Sequence, residues 1–146
     1  MPAPAGAAGL TPAGSFAADG RIARERKIPI LVFYSRDGCK WCDLARDRYL
    51  VPLSKDPAWA GRVLIREVEL DGDFETALTD FGGRTTTHTA FARTRRVRLT
   101  PTIDFLDDQG MRLAEPIVGV RLPDYYGTFI ERGIEESLAK LRPESK

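Results

Sequence analysis

The clearest pattern in the chain is the apolar run Ile28 to Tyr34, interrupted only by Pro29. Its apolar residues fall on consecutive positions, as in a strand covered on both faces. Pro29 marks the entry, so a strand is predicted over Ile30–Tyr34. Ahead of it, Ser15 can cap a short amphipathic helix to about Lys27, with Phe16, Ile22 and Ala23 inward. Beyond it, Asp37-Gly38 turns the chain. A helix is then predicted from about Cys39 to Tyr49, with Leu44 and Leu50 among its apolar positions, ended or kinked at Pro52. Val63 to Leu70 reads as a second strand that alternates at its end, leaving one face partly wet. Asp71-Gly72-Asp73 leaves it, and Phe74 to Gly83 shows no clear period. Thr85-Thr86-Thr87 supplies caps for a helix carrying Phe91 and Val97. A third strand spans Thr102 to Leu106, Asp107-Asp108-Gln109-Gly110 is a hairpin turn, and a fourth strand runs from about Met111 to Val120. Pro116 requires that strand to be an edge or to bulge. Pro123-Asp124 opens a final helix to about Leu141, with Phe129, Ile130, Ile134, Leu138 and Leu141 at helical spacing.

The order is helix, strand, helix, strand, helix, strand, strand, helix. The first two strands with their intervening helix make a right-handed parallel crossover, and the last two make an antiparallel hairpin. The expectation is an α/β domain, residues 15–142, with a mixed sheet of about four strands flanked by helices. Residues 1–14, rich in Ala, Pro and Gly, are expected to be a flexible tail.

Composition narrows the function. With 146 residues, 42% hydrophobic and 29% charged, the chain fits one soluble core. Lys plus Arg total 22 against 21 for Asp plus Glu, a formal charge of +1, which gives no global reason to expect nucleic acid or an anionic membrane. No apolar stretch approaches the roughly 20 residues of a membrane span. The leader lacks the basic start and hydrophobic block of a signal peptide. It suits either a cytoplasmic protein or the segment that trails a cleaved signal.

The two cysteines lie three positions apart, in Cys39-Lys40-Trp41-Cys42. A lone Cys-X-X-Cys points to redox chemistry or to half a metal site. Its place, after a buried strand and at a helix start, favours redox chemistry. Unpaired helix N–H groups and the positive end of the dipole favour a thiolate at the first cysteine, and Lys40 adds a charge beside it. Both pull the Cys39 thiol below its free value of about 8.5. Cys42, one turn further in, is placed to resolve a mixed disulfide. Three other readings stand beside this one. A structural disulfide closing so short a loop contributes only about 2 kcal/mol. A zinc site needs His88, the single histidine, and an acid. An inert buried pair is the third.

With Thr100-Pro101-Thr102 before a strand and Gly119 after the last one, the cysteine motif resembles that of the thioredoxin family over about Ser15 to Leu141. The resemblance implies a thioredoxin fold and a thiol–disulfide oxidoreductase that reduces protein disulfides with Cys39 and Cys42, its redox-active disulfide replacing any other cofactor and no metal bound. It implies a cis proline at Pro101 facing the cysteines, with Thr100, Pro101, Lys40 and Trp41 contacting substrate. Phe81-Gly82-Gly83-Arg84, Val97 to Thr102 and Pro123-Asp124-Tyr125-Tyr126 are similar to bacterial periplasmic members associated with sulfur oxidation or cytochrome c maturation. That similarity implies a periplasmic reductase, monomeric, recharged by a membrane thiol transporter and without nucleic acid; the alternative is a cytoplasmic enzyme. A non-catalytic binding or redox-sensing module of the same fold is the competing function.

The motif departs from the family in one consequential place. The buried Asp that assists the resolving cysteine falls at Phe33, which leaves Glu67 or Glu69, or water, as the proton acceptor for Cys42. Trp41 is expected to be an apolar platform beside the thiol. Arg93, Arg95, Arg96 and Arg98 read as a solvated helix end, with docking of an acidic partner the alternative. His88 reads as a surface helix residue, and Tyr125 and Tyr126 as helix packing.

Overall fold

A computed structural model describes residues 9–71 and 76–143. Residues 1–8 of the expected tail and the Gly72-Asp73-Phe74 exit from the second strand lie outside them. Ser15 caps α1 (Phe16–Arg26), its hydroxyl accepting the Ala18 N–H at 3.0 Å. Strand β1 (Ile30–Ser35) is buried at every position, as its unbroken apolar run requires. The helical run after it comprises α2 (Lys40–Leu44), a π-helical turn (Ala45–Leu50) and α3 (Val51–Lys55). Then come α4 (Pro57–Ala60), β2 (Leu64–Glu69), β3 (Ala77–Thr79), β4 (Thr85–Thr87), α5 (His88–Thr94), β5 (Thr102–Leu106), β6 (Arg112–Val118), a 3₁₀ turn (Pro123–Tyr125) and α6 (Tyr126–Leu141).

The main sheet has the order β2-β1-β5-β6. β1 pairs parallel with β2 and antiparallel with β5, and β5 pairs antiparallel with β6. The expected α/β mixed sheet is therefore present, and β6 with Pro116 is an edge strand with register shifts opposite Phe105. Alternation along β1 divides the core. Leu31 and Phe33 face a layer built from Cys42, Leu50, Ile103, Phe105, Ile130 and Ile134. Ile30, Val32 and Tyr34 face Phe16, Val68, Phe91 and Leu106. Gly133 lets α6 lie directly on the Phe105 ring, where any added Cβ would overlap it.

Three expectations are corrected and one unassigned region is filled. The helix, expected to end or kink at Pro52, runs on through it to Lys55. The π turn before it, in which the Val51 N–H bonds to the Arg46 carbonyl five residues back, accommodates the missing proline donor. The unclear region after β2 holds a two-stranded hairpin, β3–β4, joined through Leu78 and Thr86. Its strands are too short to show a period. The tail is docked from Leu10 onward: Leu10 and Ala13 are buried, the Ala13 N–H donates to the Glu67 carbonyl at 2.9 Å, and the Glu67 N–H donates to Thr11 O at 2.9 Å. An open β2 edge would leave backbone groups unpaired, and this strap closes it. His88 is buried rather than on the surface, its Nε2 2.9 Å from Ala13 O and its Nδ1 accepting the Glu69 N–H at 3.2 Å. The ring thus pins the strap to β2 and α5, a use that no local sequence pattern signals.

Candidate active site

The chain leaves β1 through Ser35 and turns at Gly38, whose φ of +71° is left-handed and suits a residue without a side chain. The Asp37 N–H is held by Asp71 Oδ1 at 3.1 Å. This turn delivers Cys39 to the N-cap of α2 in extended conformation, its Sγ accepting the Cys42 N–H at 3.1 Å. Cys39 and Cys42 form a disulfide with Cα atoms 5.1 Å apart. The two sulfurs differ in access: Cys42 is fully buried, while Cys39 is half-buried. His88, which a zinc site at this pair would need, is committed to Ala13 and Glu69.

Thr100 and Pro101, joined by a cis peptide bond, lie against this pair. Thr100 O is 3.9 Å and Thr100 Oγ1 3.7 Å from Cys39 Sγ. Pro101 O accepts the Gly119 N–H at 2.8 Å, which draws the end of β6 to the same place. Lys40 is exposed and Trp41 half-exposed at 50%, both on the first turn of α2. The expected site residues therefore converge at one end of the sheet.

Sequence reasoning missed an apolar rim around them. Tyr34, Thr102 and Val118 are aligned across β1, β5 and β6, so Leu99, Val118, Leu122 and Tyr125 all leave the sheet at the disulfide end. Each is a large exposed hydrophobic side chain. The loop bearing Leu122 and Tyr125 is tied to the cysteine helix by the Tyr49 hydroxyl, which donates to Pro123 O at 2.6 Å. The tyrosine pair divides its roles. Tyr126 is buried against Tyr49, its hydroxyl pushed well above the usual range by burial, whereas Tyr125 is exposed rather than packed. The available signal was the position of Leu99 and Leu122 beside Thr100-Pro101 and Pro123, on loops where apolar residues have no core to enter.

Beneath the pair, Phe33 is fully buried and its parallel partner Glu67 points inward, whereas Glu69 is exposed. Glu67 accepts from Ser35 Oγ at 2.5 Å and from Arg46 at 2.6 and 3.2 Å. Its carboxylate holds the Arg46 guanidinium well above its ordinary range, and that guanidinium lies 5.6 Å from the centre of the Phe33 ring. Three donors, the Ser35 hydroxyl and two nitrogens of Arg46, occupy the Glu67 carboxylate. Its work is to bind the cysteine helix, through Arg46, to β2. A cavity of about 320 Å³ lined by Ser35, Asp43, Arg46 and Glu67 opens beside it and gives water a route to this charged floor.

Residues 16–132 match the family model described as a thioredoxin-like domain. No curated protein matches the sequence. Among solved structures, a mutant of poplar thioredoxin h superposes with a TM-score of 0.59 at 16% identity, over 93% of this chain and 90% of that one. Thioredoxin f from spinach chloroplast, in its short form, gives 0.57 at 14% identity over 94% and 98%. Trxlp from Edwardsiella tarda gives 0.53 at 21% identity over 77% and 90%. At these identities the likeness is one of fold.

Proposed function

Because the chain belongs to the thioredoxin-like domain family, we propose that it is a thiol–disulfide oxidoreductase whose dithiol form reduces disulfides in protein substrates. The observation that carries this reading is the asymmetry of the cysteine pair. Cys39 is reachable and caps a helix whose amide donates to its sulfur, while Cys42 is sealed beneath it. The Cys42 N–H and the helix dipole favour a thiolate at Cys39. That thiolate attacks one sulfur of a substrate disulfide. The substrate S–S bond breaks, a mixed disulfide forms at Cys39, and the other substrate sulfur leaves as a thiolate. Cys42, giving up its proton to water, then attacks Cys39 Sγ. This step forms the Cys39–Cys42 disulfide and releases the second substrate thiol, so two electrons pass to the substrate.

A protein substrate is supported by the exposed rim of Trp41, Leu99, Val118, Leu122 and Tyr125, which offers more apolar surface than a small thiol needs. The Thr100–Pro101 edge beside Cys39 gives backbone groups to an extended segment. Within the family we assign the protein to the periplasmic type associated with sulfur oxidation or cytochrome c maturation. The support is Phe81-Gly82-Gly83-Arg84, Val97 to Thr102, Pro123 to Tyr126 and the Ala/Pro/Gly-rich leader. A reductase there works against fast oxidising enzymes, so the reading includes a membrane thiol transporter as electron donor.

Insulin disulfide reduction is the test of activity: the native chain turns over with a reductant supply, and Cys39→Ser does not. Equal, background rates from both would leave only a binding or sensing module. For the donor, the cysteine pair is acid-trapped and alkylated in cells with and without the transporter. Accumulation of the disulfide in the deficient cells is expected, and a pair that stays reduced there contradicts the assignment.

A further inference from the structure

At the other end of the sheet, roughly 13 Å along β5 from Thr102 at about 3.3 Å per residue, Arg93, Arg96 and Arg98 are exposed, as a solvated helix end requires, while Arg95 and Arg112 are held in place by hydrogen bonds. Helix α5 stops at Thr94, and Arg96 takes a left-handed φ of +60° while the Val97 N–H reaches back to Ala92 O at 3.0 Å. Glycine is the residue that such a helix end favours, so the arginine is held there at a conformational cost. Arg95 donates to Gly110 O at 2.8 Å and lies 3.8 Å from Asp104 Oδ2. From β6, Arg112 donates to Asp104 Oδ1 at 3.0 Å. One fully buried carboxylate, also bonded by the Tyr34 hydroxyl at 3.0 Å, therefore aims two guanidinium groups and offsets one of their charges.

The three side chains, with Thr94, Gly110 and Met111, line one concavity of about 370 Å³. The nearby Asp107 carboxylate is turned into its own loop, accepting the Gln109 and Met111 N–H groups at 2.8 and 2.9 Å. Among the described residues Arg96 forms no ion pair, nor do Arg93 and Arg98 beside it. A chain whose formal charge is only +1 has thus gathered uncompensated cations at one spot. Complementing the α5 dipole accounts for Arg93 and Arg95. It accounts neither for Arg112, which comes from another element, nor for an arginine in a glycine conformation.

We propose that Arg95, Arg96 and Arg112 form a binding site for a small molecule bearing a phosphate or diphosphate group. The Arg95 and Arg112 guanidinium forks, anchored at Gly110 and Asp104, match phosphate oxygens, and Arg96 adds an exposed charge beside them. The exposed Met111 side chain, 64% accessible, gives the organic part of such a ligand an apolar wall. The site is separate from the cysteine pair and does not rest on the redox reading.

The test is a titration of the oxidised full chain with inorganic pyrophosphate and, separately, adenosine diphosphate and citrate, followed by amide NMR at low ionic strength. Saturable shifts confined to residues 94–96 and 110–112 are expected with both phosphate probes, with adenosine diphosphate binding the tighter and citrate at least tenfold weaker. Arg96→Gly should lose at least tenfold in affinity, keep or raise Tm, and leave disulfide reduction unchanged. Shifts that never saturate or that spread over the other surface arginines, binding retained in Arg96→Gly, or citrate binding as tightly as pyrophosphate would each overturn the proposal.

Discussion

Replacing Glu67 by Ala removes the acceptor shared by Ser35 and Arg46 and leaves the charged guanidinium above Phe33 with only the exposed Asp43 carboxylate as partner. Breaking a fully buried ion pair costs about 3–5 kcal/mol. Here the Arg46 and Glu67 side chains keep 21% and 11% of their exposure, so solvent screens part of that, and about 2–3 kcal/mol is expected. At about 2–4 °C per kcal/mol for a chain of this size, Tm falls by roughly 5–10 °C. Glu67→Gln keeps an acceptor for Ser35 and should lose about half as much. Because Arg46 lies one turn beyond Cys42 on the same helical run, the loss should also loosen the cysteine helix. Exchange of the Cys42 and Asp43 amides, which bond to Cys39, is then expected to accelerate. Chemical denaturation of Glu67→Ala, Arg46→Met and the double variant measures the coupling, expected above about 1 kcal/mol. Additive effects, or a single-variant loss under about 0.5 kcal/mol, would refute the view that this pair holds the floor of the site.

Three further outcomes follow from the same structure. Burial, with Asp104 second, pushes the Tyr34 hydroxyl well above its ordinary range, and burial does the same to Tyr126. Above about pH 10 the unfolded chain ionises these groups while the folded chain does not, so stability falls as pH rises. Of the four tyrosines, two should resist phenolate absorbance until the protein unfolds, and Tyr34→Phe with Tyr126→Phe should flatten the alkaline loss. His88→Leu deprives Ala13 O and the Glu69 N–H of buried partners, at about 1–3 kcal/mol each, and should raise hydrogen exchange at Ala13 and Glu67 before other strands. Trp41→Ala combined with Leu99→Ala should raise KM for a protein disulfide several-fold while leaving reaction with a small disulfide such as hydroxyethyl disulfide within twofold. Equal losses on both substrates would remove the docking role of the rim.

Much of the fold was legible because its signals are local. The continuous apolar run of β1, the Asp107–Gly110 turn and the Ser15 and Thr87 caps each act within a few residues of themselves. The parallel crossover, the antiparallel hairpin and the place of Cys39 and Cys42 follow from them. What was not legible depends on distant partners. Leu10 to Gly14 has no period and acquires structure only from the open edge of β2. His88 is drawn inward by two backbone groups far along the chain, Ala13 O and the Glu69 N–H. Glu67 looks like one of two equivalent acids until the register opposite Phe33 selects it, and Arg46 then claims it. The rim residues Leu99, Leu122 and Tyr125 come together only when β5 and β6 end at the same edge of the sheet.

The direct test of the central claim is to trap the attack itself. The Cys42→Ser and Cys39→Ser variants are each mixed with a peptide disulfide, quenched in acid, and their adducts mapped by mass spectrometry. The single thiol of Cys42→Ser should form a stable mixed disulfide at Cys39 within seconds. The buried thiol of Cys39→Ser should react at least a hundredfold more slowly, and the native dithiol should pass through the adduct to the Cys39–Cys42 disulfide with release of two peptide thiols. Faster adduct formation at Cys42, or none at either cysteine, would contradict it.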